Sequence, residues 1–142
     1  MGVLTRDRDT RRRDGRDFVF PLAAGQRVFA GGIVCFLNGH GLMAPVSSFY
    51  LGTNRGRFPC LATETVDNRE GGDGEASVRV ERTVVGLDYD GSITPEAIGT
   101  MVYMLDDYTV TRDDDADGDG RLAAGLLVDI RDGQAWVDLT RA

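Results

Sequence analysis

The sequence has 142 residues, 42% of them hydrophobic, enough for one domain that buries about two-thirds of its unfolded surface. It carries a formal net charge of −7, and all sixteen of its basic residues are arginine. With no lysine, this sequence cannot hold a lipoyl or biotinyl group, form a Schiff base, use a phosphate-loop lysine or close an isopeptide crosslink. No apolar run approaches the ~20 residues of a membrane span, and no leader pattern opens the chain, so a soluble cytoplasmic product is expected.

The first 17 residues, MGVLTRDRDTRRRDGRD, read as an extended charged arm. Arg6, Arg8, Arg11, Arg12, Arg13 and Arg16 alternate there with Asp7, Asp9, Asp14 and Asp17. Residues 18–142 are left with ten arginines against nineteen acids, a net charge of −9. An acidic body with an arginine-rich arm suggests docking of the arm on a neighbouring acidic surface, such as a second copy. The four aspartates largely cancel the arm's field, which disfavours a nucleic-acid tail, and a solvated terminus is the plainer alternative.

From Phe18 onward the pattern is that of strands. Runs at 18–21, 26–29, 33–37, 42–46, 49–51 and 57–66 are separated by Pro21, Gly31-Gly32 and the turn Asn38-Gly39-His40-Gly41. Residues 67–74, DNREGGDG, form the clearest loop. The clearest strand is expected over 75–85, where Ala76, Val78 and Val80 alternate with Ser77, Arg79 and Glu81. Between 88 and 111 come two strand-like runs about Val102, Met104, Tyr108 and Val110, parted by Asp106-Asp107. Thr94-Pro95-Glu96 offers an N-cap oxygen and a proline for one helical turn ended by Ile98-Gly99. Runs at 121–130 and 134–139, joined by Arg131-Asp132-Gly133, close the chain as a hairpin. The expected fold is mainly β: a small single-domain barrel or sandwich with one short helical turn and the N-terminal arm.

Few residues suggest chemistry. Asp113, Asp115, Asp117 and Asp119, with Gly118, match the first half of a calcium loop, in which alternate carboxylates converge on a hard cation. Position 12 of that pattern is Ala124 and the flanks read as strands, so a solvated acidic connection is the competing reading. No other metal or cofactor is expected. His40, the single histidine, sits in a glycine-flanked turn, and neither Ser47 nor Ser48 lies in a nucleophile elbow, so an enzyme is not expected. Gly71-Gly72-Asp73-Gly74 is too acidic to cradle phosphate. Cys35 and Cys60 lack metal spacing and read as buried thiols, with a cystine between them left open. Phe29, Tyr103, Tyr108 and Trp136 read as packing residues rather than as a platform for bases.

Four ordered segments carry a resemblance: 21–34 with its glycine-split apolar runs; 66–85, opening on Val66-Asp67-Asn68 and a glycine-rich turn; 93–111, with Ile98-Gly99, Val102-Tyr103 and Asp106-Asp107; and 121–139, ending in Trp136-Val137-Asp138-Leu139. Together they resemble the small head decoration, or capsid cement, proteins of tailed bacteriophages and prophages over residues 20–140. The acidic run 113–119 departs from the usual pattern. The resemblance implies a non-enzymatic, β-rich virion protein that forms homodimers or homotrimers. It would bind the outer surface of the major capsid protein shell and stabilise the head, with no membrane or direct nucleic-acid partner. A small calcium-dependent binding module using the 113–119 loop is the alternative.

Overall fold

Twelve strands form among the described residues of the computed structural model, which are 6, 16–37, 41–49, 56–118 and 120–142. In chain order they are β1 (Asp17–Pro21), β2 (Arg27–Val28), β3 (Ile33–Phe36), β4 (Met43–Pro45), β5 (Arg57–Ala62), β6 (Val66–Asp67), β7 (Ser77–Glu81), β8 (Val84–Tyr89), β9 (Met101–Met104), β10 (Thr109–Thr111), β11 (Ala123–Arg131) and β12 (Gln134–Asp138). The fold is mainly β, as the turn-rich sequence implies.

The chain builds two barrel-like units around two apolar cores. In the first, β1-β7-β5-β3-β4 pair antiparallel, and a bridge from Leu22 to Met43 brings the two outer edges together. The sheet therefore curls around its own core of Leu22, Val28, Val34, Met43, Cys60, Ala62, Val78 and Val80. The short β2–β6 ladder supplies Val28 to that core. In the second unit β10-β8-β12-β11-β9 close completely; only the β8–β10 pairing is parallel. Val85, Leu87, Val102, Met104, Val110, Leu127 and Val137 are buried in its interior.

β3 and β5 serve both cores. Side chains alternate across a strand, so Ile33, Cys35 and Leu61 pack with the second core while Val34, Cys60 and Ala62 point into the first. This explains the unbroken apolar run Ile33-Val34-Cys35-Phe36: a strand covered on both faces has no polar side to show. It also answers the cysteine question, because the two buried free thiols sit in different cores on opposite faces of one sheet.

Arg82 joins the two units. It follows β7, donates from Nε to the Pro59 carbonyl at 3.1 Å and from Nη2 to the Leu139 carbonyl at 2.6 Å. Its guanidinium lies 3.8 Å from the centre of the Phe58 ring. These bonds end the alternating run, so the strand expected over 75–85 is two strands, β7 and β8, split at Arg82-Thr83. The expected 57–66 strand likewise divides into β5 and β6.

Other expectations need correction. Residues 46–49 form a 3-10 turn where a strand was expected to begin, and 50–51 lie outside the described residues. Three such turns occur among the described residues, at Val46–Phe49, Pro95–Ala97 and Leu139–Arg141, instead of one. Thr94 makes no side-chain cap; its carbonyl accepts the Ala97 N–H at 2.8 Å, and Pro95 sets the turn. The ladder also begins at Asp17, one residue inside the expected arm, where Asp17 pairs with Glu81. The 131–134 hairpin is as expected: Asp132 and Gly133 both take positive φ, 55° and 75°, as a type I′ turn requires.

Candidate functional site

Arg16 roots the arm on the first unit. Its Nη2 lies 3.3 Å from Glu81 Oε1, and its carbonyl accepts the Arg82 N–H at 2.7 Å, beside the joint between the units. Arg6 is exposed. Arg8, Arg11, Arg12 and Arg13 lie outside the described residues. The Arg16 side chain is largely solvent-exposed, so its pair with Glu81 contributes little to stability.

The acidic loop satisfies itself. Asp113 Oδ1 accepts the Asp115 N–H at 2.9 Å, and Asp114 Oδ1 accepts the Ala116 N–H at 3.0 Å. Arg121 donates to the Asp113 carbonyl at 2.9 Å and sits 3.6 Å from its carboxylate. Asp117 is exposed, and Asp119 lies outside the described residues. Carboxylates turned onto their own backbone are Asx turns, and among the described residues no group of three or more acids, cysteines or histidines converges on one point.

The other candidate groups are likewise committed. Ser47 donates its hydroxyl to Asp107 Oδ2 at 3.1 Å and its N–H to Oδ1 at 2.7 Å, so Asp107 clamps the 46–49 turn to the second unit. Ser48 donates to the Pro45 carbonyl, and His40 lies outside the described residues. The glycine-rich 67–74 loop closes on Asn68, whose packing role the sequence pattern does not reveal. Buried in the loop, Asn68 donates from Nδ2 to the carbonyls of Ala23 at 3.0 Å and Gly72 at 3.1 Å. Gly71 packs so closely against the Asn68 amide that any side chain there would collide with it. The loop is thus a plug over one end of the first unit, with Asp73 accepting the Ala24 N–H at 2.9 Å.

The opposing mouth of that unit carries four half-buried phenylalanines. Phe18 and Phe20 from β1 stack 5.3 Å apart, and Phe36 and Phe58 complete the cluster at 4.8–6.1 Å between contacting rings. Phe58 holds φ +63°, a conformation a bulky side chain rarely adopts, at the bulge between β3 and β5. Burial raises both thiols: Cys60 is pushed up to about 12, and Cys35 is raised further, first by desolvation and then by Cys60 beside it. Neither is a nucleophile at neutral pH.

Two aromatic residues expected in the core are on the surface. Phe29 is 57% and Tyr108 55% exposed. Both line a cleft of about 370 Å³ where the β2–β3 connection of the first unit meets the β9–β10 turn of the second. Its floor is Val28, Ile33 and Val34, and its rim holds Arg27, 4.7 Å above the Phe29 ring, and Asp107. Trp136 and Tyr103, by contrast, are half-buried; the Trp136 ring packs over Gly86, where a side chain would crowd it. A two-residue strand such as β2 is too short for its parity to show in the sequence which way the following Phe29 faces.

Comparison with protein-family models, with curated proteins and with solved structures finds no match to this chain.

Proposed function

We propose that this chain is a structural virion protein, a capsid decoration or cement protein that binds the outer surface of the major capsid protein shell and stabilises the head. One observation carries the reading. Two of the four segments that carry the resemblance, 93–111 and 121–139, together with β8 make one closed barrel and its 3-10 cap rather than scattered surface loops. The resemblance thus falls on residues that pack together as one unit.

The physical mechanism is avidity. Many rigid copies, each with a modest interface, lock neighbouring capsomers together without a large individual affinity. The two shared-wall units, pinned by Arg82, suit a load-bearing element because loops and side chains between them are already hydrogen-bonded. The protein self-associates as a homodimer or homotrimer, has no membrane or nucleic-acid partner and works on the outer surface of the virion. Its arm, with Arg6, Arg8, Arg11, Arg12, Arg13 and Arg16, contacts shell or sister subunit through arginine–carboxylate pairs.

Co-sedimentation with assembled shells of the corresponding phage tests this. The full chain is expected to pellet with shells to a saturating stoichiometry, and a chain lacking residues 1–16 to bind weakly or not at all. Undiminished binding by the truncated chain would remove the arm from the mechanism; no binding by the full chain would overturn the function.

A further inference from the structure

We infer that the cleft between Phe29 and Tyr108 is a two-fold interface on which a second copy of this chain docks. Six large apolar side chains are markedly exposed among the described residues, and the two aromatic ones share this cleft. Exposed aromatics beside a desolvated apolar floor are the usual anchors of a protein interface.

The partner follows from charge and shape. Two copies of a chain with a net charge of −7 repel one another, so they meet most readily where the surface is not acidic. The cleft lining holds one cation, Arg27, and one anion, Asp107. The Asp107 carboxylate accepts two bonds from Ser47 and keeps lone pairs for another donor. A two-fold axis brings Arg27 of each copy toward Asp107 of the other, turning a neutral patch into two attractive pairs. The same patch also presents knob and slot. Tyr108 and Phe29 project, while Ala30, Gly31 and Gly32 leave a wall with almost no side chain. An isologous contact needs such self-complementarity. The inference rests on the self-association within the proposed function and gives it a place and a symmetry.

Light scattering on the eluting full-length chain tests it separately from shell binding. The wild-type chain is expected at twice the chain mass, Tyr108→Glu and Arg27→Glu at the monomer mass, and Val128→Glu, an exposed apolar control on β11, still at twice the mass. Each side chain is exposed, so all three variants are expected to fold and melt cooperatively, with Tyr108→Glu and Arg27→Glu melting below wild type only by the stabilisation that association gives and Val128→Glu matching it. A wild-type monomer, a trimer, or a Tyr108→Glu chain that remains dimeric would overturn the inference. A wild-type monomer whose Tyr108→Glu variant loses shell binding would assign the cleft to the shell instead, also overturning it. Dimerisation with no affinity for shells would keep this interface and refute the proposed function alone.

Discussion

The two units bury similar aliphatic side chains but close in different ways. The second closes by main-chain pairing all the way round, so its strands supply only Val, Leu, Ala and Met to the buried core. The first meets edge to edge at one bridge, Leu22 to Met43, and its ends are stopped by side chains: the Asn68 plug at one mouth and four phenylalanines at the other. A ladder spreads its stability over many backbone bonds, whereas a plug concentrates it in a few side chains. The units should therefore fail differently.

The largest effect is expected in the ladder itself. Gly125 in β11 holds φ +148°, and any Cβ there would collide with the Asp138 carbonyl across the β11–β12 pairing. Gly125→Ala should cost about 4 kcal/mol or more, or prevent folding, as judged by urea denaturation. Breaking the joint comes next. Arg82→Ala removes two hydrogen bonds and the contact with the Phe58 ring, an expected loss of about 2–3 kcal/mol. Arg82→Lys, which cannot reach both carbonyls from a planar fork, should recover only part of it.

Asn68→Ala should cost about 2 kcal/mol by stranding the carbonyls of Ala23 and Gly72. Its sharper signature is regional. Hydrogen exchange should quicken at 22–36 and stay unchanged at 84–139; uniform acceleration would mean that the units do not close independently. The smallest effect near neutral pH concerns the thiols, which bear on stability only in alkali. Cys60 ionises near 9.0 when unfolded and near 12 when folded, so above pH 9 the unfolded state releases a proton that the folded state retains. Stability should fall as pH rises from 9 toward 12, and Cys60→Ala should flatten that decline. Both thiols should resist a thiol reagent until the protein is denatured, with no cystine found.

The second unit was far more legible in the sequence than the first, for the same reason. Closure by pairing leaves marks that a sequence shows: Asp132-Gly133 at a hairpin tip, and Val102, Met104 and Val110 alternating into the core. Closure by side chains depends on long-range bonds with no local signal. Nothing near Phe58 announces its positive φ, and nothing in Val78-Arg79-Val80-Glu81-Arg82-Thr83-Val84 marks the break, which comes from carbonyls at Pro59 and Leu139. The surface cleft was missed because Phe29 and Tyr108 flank elements of two and three residues, too short for a period to assign a face. The acidic 113–119 run shows the reverse problem. Its spacing suggests ligands, but Asp113 and Asp114 spend oxygens on the backbone of their own loop.

The most direct test of the central claim is image reconstruction of phage heads assembled with and without this protein. The account predicts ordered density on the outer surface at local symmetry axes, present only when the protein is added and large enough for both units. Heads whose outer surface is identical in the two preparations would contradict it.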